Sequence, residues 1–178
     1  MLHYEIDEAG KDCIVFLHGM GGDLTAWEPT REILRQKGYK TLAIDVLGQG
    51  KSDRPNKKEY YAFEALAAGI IELLASKKIS SCILVGHCYG GVIAEYIAYT
   101  TPSLISKLIL INTTYKKPFK NSLLSNALSQ GIFNMLGFIL PAWRYKKQVQ
   151  FEGYKGTTDH DIKRITSDIL HTSTKSYM

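Results

Sequence analysis

Short, unbroken apolar runs alternate with stretches of helical periodicity over residues 2–111. The run Cys-Ile-Val-Phe-Leu at 13–17 has no polar position, which suits a parallel strand buried on both faces. Residues 39–46 (Tyr-Lys-Thr-Leu-Ala-Ile-Asp-Val) predict a second buried strand, 82–85 a third and 105–111 a further one, while 2–7 suits a short edge strand. Between the first two runs, Asp23 is placed to cap a helix carrying Trp27, Ile33 and Leu34, which stops at Lys37-Gly38, a basic residue and then a C′ glycine. Phe63, Leu66, Ala67, Ile70, Ile71 and Leu74 recur at helical spacing within 60–78, and another helix over 89–100 ends before Pro102. Strands alternating with helices of this length predict an α/β domain built on a doubly wound parallel sheet. Ligands of such sheets bind beyond the carboxyl ends of the strands. The Gly-rich segments 18–22 and 47–55 and the glycine-flanked Cys88 all fall at that edge.

Past Asn112 the pattern changes. Residues 113–178 contain helix-compatible pieces at 122–140 and 159–170 but no buried-strand run. The chain is therefore expected to divide into a core over 1–112 and a helical cap or lid segment over 113–178. The longest apolar stretch, 131–143, contains Asn134 and Pro141 and is too short to span a bilayer, so no integral membrane segment is expected.

The segment Gly86-His87-Cys88-Tyr89-Gly90-Gly91 concentrates the chemistry. An apolar strand ends at a small residue, one reactive side chain follows, and a helical pattern begins at once. Glycines two residues either side of Cys88 make room for a turn too tight for neighbouring Cβ atoms. The following helix points its unpaired N–H groups and positive dipole end back at the apex, which favours a thiolate, the nucleophilic form of cysteine. A lone G-x-C-x-G carries little information, so its flanks decide its meaning.

Composition narrows the partners. The 178 residues are 45% hydrophobic and 22% charged, in the range of a globular domain. A net charge of +5 comes from lysines spread along the chain, without an arginine-rich arm, so no nucleic-acid partner is expected. The three cysteines, 13, 82 and 88, have no metal-ligand spacing; Cys13 and Cys82 sit in apolar runs as small buried residues. No charged-then-apolar leader opens the sequence, and a reduced, cytoplasmic protein with no cofactor is expected.

The motifs in order, His18-Gly19-Met20-Gly21-Gly22 with Trp27, Gly38-Tyr39, Asp45-x-x-Gly48-x-Gly50-x-Ser52-Asp53, Gly86-His87-Cys88-Tyr89-Gly90-Gly91 and Pro102 with the strand after it, resemble the α/β-hydrolase fold superfamily. The branch is that of epoxide hydrolases, haloperoxidase-like esterases and proline iminopeptidases. The resemblance is tight over about residues 11 to 115. It implies a covalent nucleophile at Cys88 and an oxyanion hole made by the backbone N–H groups of Met20 and Tyr89. It also implies a small-molecule substrate; the aliphatic residues of 131–140, a lid over an apolar acyl group or simply cap core, bear on its character. His18 is expected to shape its loop, His87 to pack behind the turn, and Asp45 and Ser52 to hold the 48–50 loop through side-chain to backbone hydrogen bonds.

Two departures from the family pattern bear on function. The nucleophile is Cys where the usual residue is Ser; a thiolate forms thioesters and suits ester, lactone or thioester substrates. The acid and histidine that follow the nucleophile in this family are not matched by Asp159, Asp161, Asp168, His160 or His171, none of which follows a strand pattern. Both partners are expected beyond residue 178, in a chain whose last strands are missing. The sequence predicts a hydrolase acting through an acyl-enzyme on Cys88, with an acyltransferase or a non-catalytic binding protein as alternatives. Oligomeric state is left open.

Overall fold

The computed structural model describes residues 1–10 and 12–113. Five strands form one sheet, β1 (Tyr4–Asp7), β2 (Cys13–Leu17), β3 (Lys40–Ile44), β4 (Cys82–His87) and β5 (Ile105–Ile111), in the order β1-β3-β2-β4-β5. All neighbours are parallel except β1, which runs antiparallel to β3 at one edge. Three helices connect them: α1 (Glu28–Gln36), α2 (Phe63–Ser76) and α3 (Tyr89–Thr100).

The unbroken apolar runs work as expected, because both sheet faces are covered. Along β2, Val15 and Leu17 face the cluster formed with Leu66, Ile70 and Leu74 of α2 and Ile93 and Ile97 of α3. The alternate residues Ile14 and Phe16 join Leu24, Ala43 and Val85 on the opposite face, under Trp27 and Leu34. Ile70, Leu74, Ile93 and Ile97 are all essentially inaccessible to solvent, and each contributes about 1.5–3 kcal/mol by burial.

Several boundaries differ in detail from the sequence expectation. Asp23 does cap a helical segment, its Oδ1 accepting the Thr25 N–H at 2.9 Å, but that segment is a single 3₁₀ turn, Leu24–Trp27. The α-helix begins after it, with Pro29 in its first turn. Ile33 is 56% exposed, and the side chain that α1 buries is Arg31. Arg31 is held by Glu5 and Asp7 of β1, Glu28 of its own helix and the Thr41 hydroxyl, so a charged residue occupies a position that periodicity assigns to an apolar one. Similarly, the helix expected from residue 60 begins as a 3₁₀ turn, Lys58–Tyr61, before α2.

Strand β5 is at the sheet edge among the described residues, and Leu108, Ile109, Leu110 and Ile111 are 37%, 45%, 37% and 38% exposed. Apart from Thr113, the cap expected over 113–178 lies outside the described residues, as do Asp159, His160, Asp161, Asp168 and His171. Among the described residues, no helix is long and apolar enough to cross a membrane.

Candidate active site

The strand order places the site. The chain leaves β2 toward β3 on one side, while β4 lies on the other, so the segments leaving the ends of β2 and β4 border one crevice. Segment 18–22 leaves β2 there, and Cys88 follows β4 directly.

Cys88 has φ 49° and ψ −111°, a conformation that side-chain-bearing residues rarely adopt. Its N–H donates to Ile111 O at 2.9 Å, and its carbonyl accepts from the N–H groups of Gly91 and Val92 at the start of α3 and from Thr113 Oγ1 at 2.9 Å. The apex is thus fixed from both sides while its thiol is exposed. The flanking glycines allow the tight turn: a Cβ on Gly86 would lie 2.6 Å from Gly90 O, and one on Gly90 would lie 2.5 Å from His18 O and 2.6 Å from Leu17 O. Helix α3 therefore starts directly against the end of β2.

The same crowding brings segment 18–22 onto the turn. A Cβ on Gly19 would lie 3.4 Å from Cys88 Cβ and 2.8 Å from the His87 ring. The His87 ring thus lies against Gly19, on the same segment that approaches Cys88. The Gly19–Met20 peptide is held by its carbonyl, which accepts from His18 Nδ1 at 2.8 Å and Gly22 N–H at 3.1 Å. In a trans peptide the Met20 N–H then points the opposite way. Neither the Met20 nor the Tyr89 N–H donates a hydrogen bond among the described residues.

His18 is 1% exposed and its hydrogen bonds define its tautomer. The Val46 N–H donates to Nε2 at 3.0 Å, so the proton is on Nδ1, the atom that reaches Gly19 O. Burial pushes its pKa down, which keeps the ring neutral. With both nitrogens engaged, His18 shapes the loop and is not positioned to carry a proton.

Asp45 and Ser52 hold the 48–50 loop, and they tie in two further segments. Asp45 Oδ2 accepts from Lys51 N–H at 2.8 Å and from His3 Nδ1 at 2.8 Å, while Oδ1 accepts from Leu24 N–H at 2.7 Å. Ser52 Oγ donates to Asp45 O at 2.6 Å and accepts from His3 N–H at 2.8 Å. One buried carboxylate thus joins the N-terminal segment, the β2 loop and the β3 loop. Gln49 is a residue that sequence reasoning passed over: its Oε1 accepts from Gly21 N–H at 2.7 Å, a contact across 28 residues with no local signature. Tyr89, at the head of α3, packs its ring on Phe63 with centroids 5.7 Å apart, and burial pushes its phenol up to about 12.

A family model described as alpha/beta hydrolase fold matches residues 12–157. Among curated proteins, the chain is similar to Epoxide hydrolase 4 of Mus musculus, 38% identical over 119 residues, which are 66% of this chain and 32% of that protein. It is also similar to Protein ABHD8 of Mus musculus, 31% identical over 140 residues, 75% of this chain and 30% of that one. The chain thus spans under a third of the length of these curated relatives. Among solved structures, a carboxylesterase from Nitrososphaera gargenis superposes with a TM-score of 0.78 at 20% identity, covering 99% of this chain and 65% of that one. The enol-lactonase from Burkholderia xenovorans gives 0.74 at 24% identity, covering 99% and 66%. At these identities the structural likeness is one of fold.

Proposed function

This chain belongs to the alpha/beta hydrolase fold family, and from that premise we propose that it is a hydrolase of carboxylic esters, lactones or thioesters that works through an acyl-enzyme on Cys88. The observation that carries this reading is an exposed thiol on a strained apex, facing a loop whose neighbouring N–H groups have no acceptor among the described residues.

The Cys88 thiolate attacks the substrate carbonyl carbon, and the displaced electron pair makes an oxyanion. The N–H groups of Met20 and Tyr89 receive it, and one such preorganised donor is worth about 3–4 kcal/mol in the transition state. Collapse expels the alkoxide or thiolate of the leaving group, which takes a proton from solvent water, and a thioester remains on Cys88. Water then adds to that carbonyl, gives its proton to a general base, and a second collapse releases the carboxylic acid and the thiolate. The base is not His18, both of whose ring nitrogens are engaged; in this reading it is the histidine that follows the nucleophile in this family. A thioester intermediate also accepts alcohols or amines in place of water, so added acceptors distinguish hydrolysis from acyl transfer. The apolar acyl group expected of the substrate belongs to the same reading, and so does the cytoplasm, where three free thiols persist.

A panel of short-chain p-nitrophenyl esters tests the proposal. Cys88→Ala is expected to lower turnover by at least about a thousandfold, with Cys88→Ser retaining measurable acylation. Unchanged turnover in the alanine variant overturns the assignment.

A further inference from the structure

Gln49 is completely buried in the turn between Gly48 and Gly50, and its main chain is pinned: its N–H donates to Val46 O at 2.9 Å and its carbonyl accepts from Ser52 N–H at 3.1 Å. Its side chain reaches across to the loop after β2, where Oε1 accepts from Gly21 N–H at 2.7 Å. Reversing the amide would set two donors against each other, so this orientation is fixed by chemistry. The other end of the same amide, Nε2, is buried with no hydrogen-bond partner among the described residues. A buried donor left unpaired is costly, whereas an apolar side chain of similar size would remove that donor but leave the Gly21 N–H without its acceptor.

What the amide does accomplish is local. Gly21 follows Met20 directly, and the Gly21 N–H belongs to the Met20–Gly21 peptide. The preceding peptide is already held through Gly19 O by His18 and Gly22. Gln49 holds the next one, so the backbone is clamped on both sides of the Met20 Cα, and the direction of the Met20 N–H is fixed. We propose that Gln49 is a positioning residue of this site, locking the Met20–Gly21 peptide so that the Met20 N–H stays aimed at the developing oxyanion. The proposal rests on the reading of Met20 and Cys88 given above.

Two reagents that use the same sulfur separate this role from general stability. p-Nitrophenyl acetate acylates Cys88 by addition to a carbonyl and so requires the oxyanion donors. Iodoacetamide alkylates the same thiolate by direct displacement, releasing iodide, and forms no oxyanion. Burst acylation and alkylation rates are measured at one fixed, mildly alkaline pH on the 178-residue chain and its Gln49→Met and Gln49→Glu variants. Methionine removes the acceptor, whereas glutamate keeps an acceptor oxygen and removes the unpaired amide donor.

The acylation rate is expected to fall about tenfold or more in Gln49→Met, with alkylation within about twofold of the parent, while Gln49→Glu keeps the parental ratio of the two rates. An unchanged ratio in Gln49→Met, with acylation intact or with both rates falling together, overturns the proposal. A ratio lost in Gln49→Glu does so too, because the donor end would then be the active one. Alkylation of the buried Cys13 and Cys82 exposes any unfolding of Gln49→Met, in which case the Glu variant decides alone. A parent chain that shows no acylation at Cys88 defeats the functional reading itself, and this inference with it.

Discussion

Cys88 shows how backbone geometry and chemistry trade against each other at one residue. Its φ of 49° places a side-chain-bearing residue where few settle, at a cost on the order of 1–3 kcal/mol. Replacing it with glycine removes that strain, and glycine's extra freedom in the unfolded chain takes back part of the gain. Cys88→Gly is expected to raise stability by about 1 kcal/mol in urea unfolding, with an unchanged m value, while abolishing acylation. A loss of stability of the same size would show that the apex is not strained. The position of Cys88 was legible in the sequence because its flanking glycines lie only two residues away on either side. Gln49 was not, since its partner Gly21 is 28 residues away and only the folded loops bring them together.

At the level of elements, α1 is the informative case. Periodicity places apolar residues inward and charges outward, yet Ile33 is exposed and Arg31 is buried. The reason is tertiary: β1 lies antiparallel at the sheet edge and presents Glu5 and Asp7 toward the helix. Burial alone would raise the Asp7 carboxyl, but hydrogen bonds from Thr41, Arg35 and Arg31 outweigh it and hold its pKa below the ordinary carboxylate value. A carboxylate whose pKa is lowered by folding stabilises the protein above the unfolded pKa of about 3.9, and that contribution disappears as pH falls through the folded value. Asp7→Asn is therefore expected to cost about 2 kcal/mol near neutral pH. The difference from the parent should shrink between about pH 5 and pH 2 in urea titrations. A difference that stays constant across that range would mean that the charge of Asp7 does not matter. The strands themselves were readable because each is a contiguous run whose burial on two faces leaves no polar position. The identity of the helix's buried residue depended on which edge strand it met.

For the molecule as a whole, the strand order turns three separate glycine-rich segments into one site. The loops after β2 and β3 are joined by Asp45 and Gln49, and the turn after β4 meets the first of them through the close approach of Gly90 to Leu17 and His18. Their order along the chain made the family readable before any contact was known; the hydrogen bonds that clamp Met20 became visible only in the fold. The three thiols report on this arrangement together. Cys13 and Cys82 are buried on β2 and β4, and burial pushes them up to about 11 and about 12, whereas Cys88 is exposed. Locating the acyl group therefore tests the role of Cys88. The 178-residue chain is mixed with a p-nitrophenyl ester, quenched in acid during the burst and mapped by peptide mass spectrometry. One acyl group is expected on Cys88, none on Cys13 or Cys82, and no adduct in Cys88→Ala. An acyl group on another residue, or ester hydrolysis that continues in Cys88→Ala, would contradict it.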